Sequence, residues 1–104
     1  LLLLLDAKGK EVFCGIVSKG SLNDTSMPIR KVVDYSLRYN AKSVIIAHNH
    51  PSGVALPSRE DLETTANLKS ALDVIGVRLL DHFIVADNDC VSLAQSNIAP
   101  LLFS

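Results

Sequence analysis

Between two stretches of helical periodicity the chain carries Ser43-Val-Ile-Ile-Ala47, a short run rich in β-branched residues. Such a run reads as a buried central strand, and its place between helices limits the architecture more than any other feature. Pro28 opens the helix before it. Ile29, Val32, Val33 and Leu37 fall on or near one face of that helix, and Asn40 supplies a C-terminal stop. The helix after it has Ser58 as its N-cap, carries the stripe Leu68, Ala71, Leu72 and Ile75, and ends at Gly76. Upstream, Leu1–Leu5 reads as a fully buried strand and Asp6–Gly9 as a turn. Residues 10–19 form a second strand, apolar on both faces and therefore interior, and residues 20–27 a polar loop. Downstream, residues 78–86 and 90–94 read as two more strands about the Asp87-Asn88-Asp89 turn. The order β-β-α-β-α-β-β interleaves helices with strands, which gives an α/β domain with a mixed β-sheet and flanking helices.

Size and composition exclude several classes. The chain has 104 residues and a mass of 11.2 kDa, the span of a single domain over 1–104. Apolar residues make up 48% and the net charge is −1, so the chain is not a disordered segment. Ten Lys and Arg face eleven Asp and Glu, and no basic run is longer than Arg30-Lys31, so no phosphate-binding face is advertised. Five leucines are far short of the roughly 20 residues a bilayer span needs, and no signal-peptide pattern is present. The expectation is a cytoplasmic protein with no membrane association. Cys14 and Cys90, with no CxxC spacing, fit a reducing compartment and read as small core residues. A start inside a strand, without Met, reads as a fragment that lacks upstream residues.

The loop after Ala47 holds the chemistry. It reads His48-Asn49-His50-Pro51-Ser52-Gly53, then Pro57-Ser58-Arg59-Glu60-Asp61. Two histidines at i and i+2 leaving a strand point to one side, and neutral imidazole is a favoured zinc ligand. With Ser58 as cap, Asp61 falls at N3, where the helix dipole favours the ionised carboxylate that a metal needs. His48, His50 and Asp61 would then form an open, three-ligand zinc site of the catalytic kind. Taken singly, each residue has a plain structural explanation: a core or surface histidine, an acidic first turn, a capping serine. Asn49 should face away from the histidines, and Ser52 and Gly53 are explained by turn chemistry. His82, in the later strand, reads either as a buried histidine paired to backbone or carboxylate, or as a partner of a zinc ligand.

His48-Asn49-His50-Pro51-Ser52-Gly53 followed by Pro57-Ser58-Arg59-Glu60-Asp61 resembles the JAMM motif, His-x-His-Pro and then Ser-x-x-Asp. That motif marks the MPN+/JAB metalloprotease superfamily, and the wording at 48–53 resembles its RadC branch. The Gly20-Ser21-Leu22-Asn23 loop and the Asp81-His82 dipeptide extend the likeness along most of the chain. The resemblance implies an MPN/JAB fold with a cytidine-deaminase-like core. It implies zinc (Zn2+) held by His48, His50 and Asp61, with Ser58 as the catalytic residue that stabilises the oxyanion. It implies hydrolysis of a peptide or isopeptide bond by a metal-activated water.

The superfamily's general base is a glutamate upstream of the His-x-His pair. The only upstream Glu here is Glu11, which reads as a solvated edge or turn residue. RadC-branch relatives often place a Glu before the first leucine run, which would fall before Leu1, and another where this chain has Lys31. Two other functions remain open: a DNA-repair-associated RadC module whose DNA contact lies in an upstream segment, and a non-catalytic MPN scaffold. The substrate and the oligomeric state are not legible.

Overall fold

The computed structural model describes residues 1–16, 28–50, 53–96 and 103. Leu2 and Leu4 of β1 (Leu2–Leu5) are fully buried, as the leucine run demands. A tight turn follows, closed by the Asp6 carboxylate, which accepts the Lys8 and Lys10 amides at 2.9 Å. The chain returns as β2 (Glu11–Gly15), antiparallel to β1.

α1 (Ile29–Arg38) leads to β3 (Ser43–Asn49), and α2 (Arg59–Val74) crosses from β3 to β4 (Arg78–Ala86), parallel to β3. β5 (Asp89–Ser92) closes the sheet antiparallel to β4. The five strands lie in the order β2-β1-β3-β4-β5. One parallel pair among antiparallel ones makes the sheet mixed, so the fold is α/β with a mixed sheet and flanking helices, as expected.

Both helices pack on one face of this sheet. Val32 of α1 and Leu68 and Leu72 of α2 join Leu2, Leu4, Val44 and Ile46 in a single apolar cluster. Side chains alternate along a strand, so Val44, Ile46 and His48 share the face that α2 covers. Leu3, Ile45, Ala47, Phe83 and Val85, on the other face, are half-buried. Both helices stop at left-handed residues, Asn40 at φ 52° and Gly76 at φ 73°.

Several expectations are corrected. β2 is an edge strand rather than an interior one, because among the described residues only β1 pairs with it. It ends at Gly15, and residues 17–27, including the expected polar loop, lie outside the described residues. Cys14 and Cys90, read as core residues, are exposed on the two edge strands. Leu37 is exposed, because α1 buries Val32 and Ser36, and Leu37 sits about 100° beyond Ser36 around the axis. β3 does not end at Ala47 but carries His48 and Asn49 as strand residues. β5 starts one residue earlier than expected and ends at Ser92. Among the described residues no helix is long and apolar enough to cross a membrane.

Candidate metal centre

The site forms where the C-terminal end of β3 meets the N-terminus of α2. β3 is held to its end by β4: the His50 amide donates to the Val85 carbonyl at 2.8 Å, one residue past the strand. Alternation then puts the His48 and His50 side chains under α2, and Asn49, exposed, points away. α2 begins with a reciprocal capping box. The Asp61 amide donates to Ser58 Oγ at 3.0 Å, and the Ser58 amide donates to Asp61 Oδ2 at 2.7 Å. This pair of bonds fixes the Asp61 carboxylate beside the histidines.

One ligand atom from each of His48, His50 and Asp61 lies within 4.8 Å of the others. Asp61 Oδ2 is 2.7 Å from His50 Nε2, and Oδ1 is 3.2 Å from His48 Nε2. The Asp61 side chain is only 2% exposed. Burial alone would push its carboxyl up, but the Ser58 amide and the nearby His48 outweigh that and hold it below the ordinary carboxylate range. Burial lowers His48 despite the opposing pull of Asp61, which favours the neutral ring.

The donor set fits a metal. His50 Nδ1 lies 3.0 Å from the Val54 carbonyl, which can only accept, so Nδ1 carries the proton. His50 Nε2 is thereby the nitrogen turned to Asp61, 2.7 Å from its Oδ2, and it is the atom a neutral ring would offer to a cation. His48 Nε2 is buried, 3.2 Å from Asp61 Oδ1, and has no hydrogen-bond partner. Two imidazole nitrogens and a carboxylate gathered at one point could hold a divalent cation.

Behind the ligands lies a buried polar cluster. His82 Nε2 is 2.7 Å from His48 Nδ1, and His82 Nδ1 is 2.7 Å from Thr65 Oγ1. His82 is 1% exposed, and burial drops its pKa to about 4. Its ring thus pairs with the His48 ring and the Thr65 hydroxyl rather than with backbone or a carboxylate. Asp81 faces the other way: it accepts the His82 and Ala94 amides at 2.7 and 3.0 Å and the Ser92 hydroxyl at 2.5 Å, pinning the end of β5. Thr65 carried no expectation. Its signal was its place four residues after Asp61, on the same helix face.

Of the other expected residues, Ser58 is exposed at the helix start with its cap role in place. Pro51 and Ser52 lie outside the described residues. Glu11 is remote: it pairs with Leu5, which pairs with Ser43, so it sits about 17 Å along the strands from His48. Leu1 lies at the near end, its terminal ammonium 2.8 Å from the Ala47 carbonyl.

The sequence model of a family described as the RadC-like JAB domain matches residues 1–98. A UPF0758 protein of Marinomonas sp. strain MWYL1 is 44% identical over 96 residues, which is 92% of this chain and 43% of that protein. UPF0758 proteins of Cupriavidus pinatubonensis and Stutzerimonas stutzeri are each 46% identical over 93 residues, 89% of this chain and 41% and 42% of theirs. The chain thus spans less than half the length of these relatives.

Proposed function

The chain belongs to the RadC-like JAB domain family, and from that premise we propose that His48, His50 and Asp61 hold a zinc ion that serves hydrolysis of a peptide or isopeptide bond. The supporting observation is the convergence of two imidazole Nε2 atoms on one buried carboxylate. Zinc in this position would supply Lewis acidity toward the scissile carbonyl and would acidify a water toward neutral pH.

The chain's own groups do the rest. The Ser58 amide and the start of α2 keep Asp61 ionised and correctly turned. Ser58 Oγ accepts the Asp61 amide, so its hydroxyl proton is left to donate toward the oxygen of a tetrahedral intermediate. The Val54 carbonyl holds the His50 ring. Glu11 cannot act as general base from the far end of the sheet.

Elemental analysis of protein purified without chelator tests this reading. One zinc per chain is expected, together with cleavage of an unbiased peptide and isopeptide library that chelator abolishes and zinc restores. Protein that cannot be loaded with zinc would refute it.

A further inference from the structure

We propose that His82 is a positioning residue: through a buried, proton-ordered chain anchored on the Asp61 carbonyl, it fixes Nε2 as the nitrogen His48 offers to a metal. The metal part rests on the function proposed above; the ordering of protons does not.

The order follows from three short contacts. Thr65 Oγ1 lies 2.6 Å from the Asp61 carbonyl oxygen, and two oxygens that close must share a proton. The carbonyl has none to give, so the Thr65 hydroxyl donates. With that proton spent, Oγ1 can only accept at its 2.7 Å contact, and His82 Nδ1 donates to it. The neutral His82 ring then has its lone pair on Nε2, and His48 Nδ1, 2.7 Å away, donates to that. The lone pair of a neutral His48 is thereby placed on Nε2, the buried atom left without a hydrogen-bond partner. Reversing the chain would strip the proton from the 2.6 Å oxygen pair, which forbids it.

The chain closes on itself in function. It starts at the backbone of Asp61 in α2 and ends at the side chain of His48 in β3, two of the three groups that meet at the site. Thr65 and His82 are 0% and 1% exposed, so water does not compete for these bonds. A His48 free to protonate Nε2 would present a donor, not a ligand. Outer partners of ligating histidines typically control metal affinity by about 10–100-fold, and His82 is this chain's version.

Histidine 15N long-range correlation spectra of the metal-free protein test the proton order directly, and zinc affinity by chelator competition tests its consequence. In the wild type, His48 and His82 are expected as the Nδ1–H tautomers. His82→Leu should release His48 to a tautomer mixture and weaken zinc binding about 10–100-fold. His82→Gln should recover most of the affinity, since its carbonyl can accept from His48 and its amide can donate to Thr65. Thr65→Val, which keeps volume and removes the anchor, should weaken zinc by a smaller factor and serves if His82→Leu does not fold. A wild-type His48 protonated on Nε2, or unchanged zinc affinity in folded His82→Leu or Thr65→Val, would overturn the proposal. A wild type that takes up no zinc would instead refute the hydrolase reading, and the spectra alone would then decide the proton order.

Discussion

The two oxygens of Asp61 have different obligations. Oδ2 accepts the Ser58 amide at 2.7 Å, while Oδ1 faces the unpartnered His48 Nε2 at 3.2 Å. Asp61→Asn therefore separates metal binding from folding. The Asn oxygen can keep the Ser58 bond, and its amide can donate to His48 Nε2, giving that atom the hydrogen bond it lacks. Zinc should be lost, because a neutral amide is a poor ligand, while denaturation in chelator should show stability within about 1 kcal/mol of wild type. Asp61→Ala should lose zinc as well, and it should also cost about 1 kcal/mol, because the Ser58 amide loses its acceptor and the reciprocal cap is broken. Wild-type zinc affinity in Asp61→Asn would show that Asp61 is a cap and not a ligand. These three residues were legible because their spacing is local: His-x-His is set by strand alternation, and Ser-x-x-Asp by the first turn of a helix. His82 and Thr65 were not legible to the same depth. His82 meets His48 only through the parallel register that sets Ile46 beside His82, and Thr65 joins them only through His82; no local pattern carries that pairing.

At the scale of the element, α2 couples its own start to the site, because Ser58 is both cap and proposed proton donor. Ser58→Ala should cost about 1 kcal/mol of stability and, separately, about 100-fold in hydrolysis. Ser58→Asp distinguishes the two roles, since a carboxylate caps as well as a hydroxyl but cannot donate. Stability should return with Asp, and activity should not; full activity in folded Ser58→Asp would remove Ser58 from the chemistry. At the end of α1, Asn40 holds φ 52°. Asn40→Gly should be near neutral in thermal unfolding, whereas Asn40→Val should cost about 1–2 kcal/mol, because a β-branched residue resists the left-handed region. Helix limits were readable from caps and stops such as Ser58, Asn40 and Gly76. The status of β2 was not. Its alternation gives two apolar faces, but whether a strand lies at an edge depends on whether a second strand pairs with it, which is a property of the sheet. Cys14 was misplaced for that reason, and Leu37 because a short apolar stripe tolerates one residue a turn out of phase.

For the whole molecule, the site joins three elements that follow one another along the chain, β3, α2 and β4, through His48, Asp61 with Thr65, and His82. Assembling it requires burying an imidazole that must stay neutral, and this ties global stability to pH. His82 titrates at about 4 in the fold, against an ordinary value of 6.5. Above pH 6.5 neither folded nor unfolded chain holds the proton, and the group contributes no pH dependence. As the pH falls from 6.5 toward 4, the unfolded chain takes up a proton that the native ring refuses, so stability declines. The shift corresponds to a loss of about 3 kcal/mol across that window in metal-free protein. His48, also lowered by burial, acts in the same direction. Asp61 has the carboxylate behaviour: held below its ordinary 3.8, it stabilises above that value, and its share disappears only as the pH falls further. Urea denaturation in chelator at steps from pH 7.5 to pH 4 should therefore show a steady fall beginning near 6.5. His82→Gln, which cannot titrate, should flatten the slope by about one proton in the same range. A wild-type profile flat down to pH 4 would mean that His82 takes up its proton inside the fold, and a charged ring there could not accept from His48.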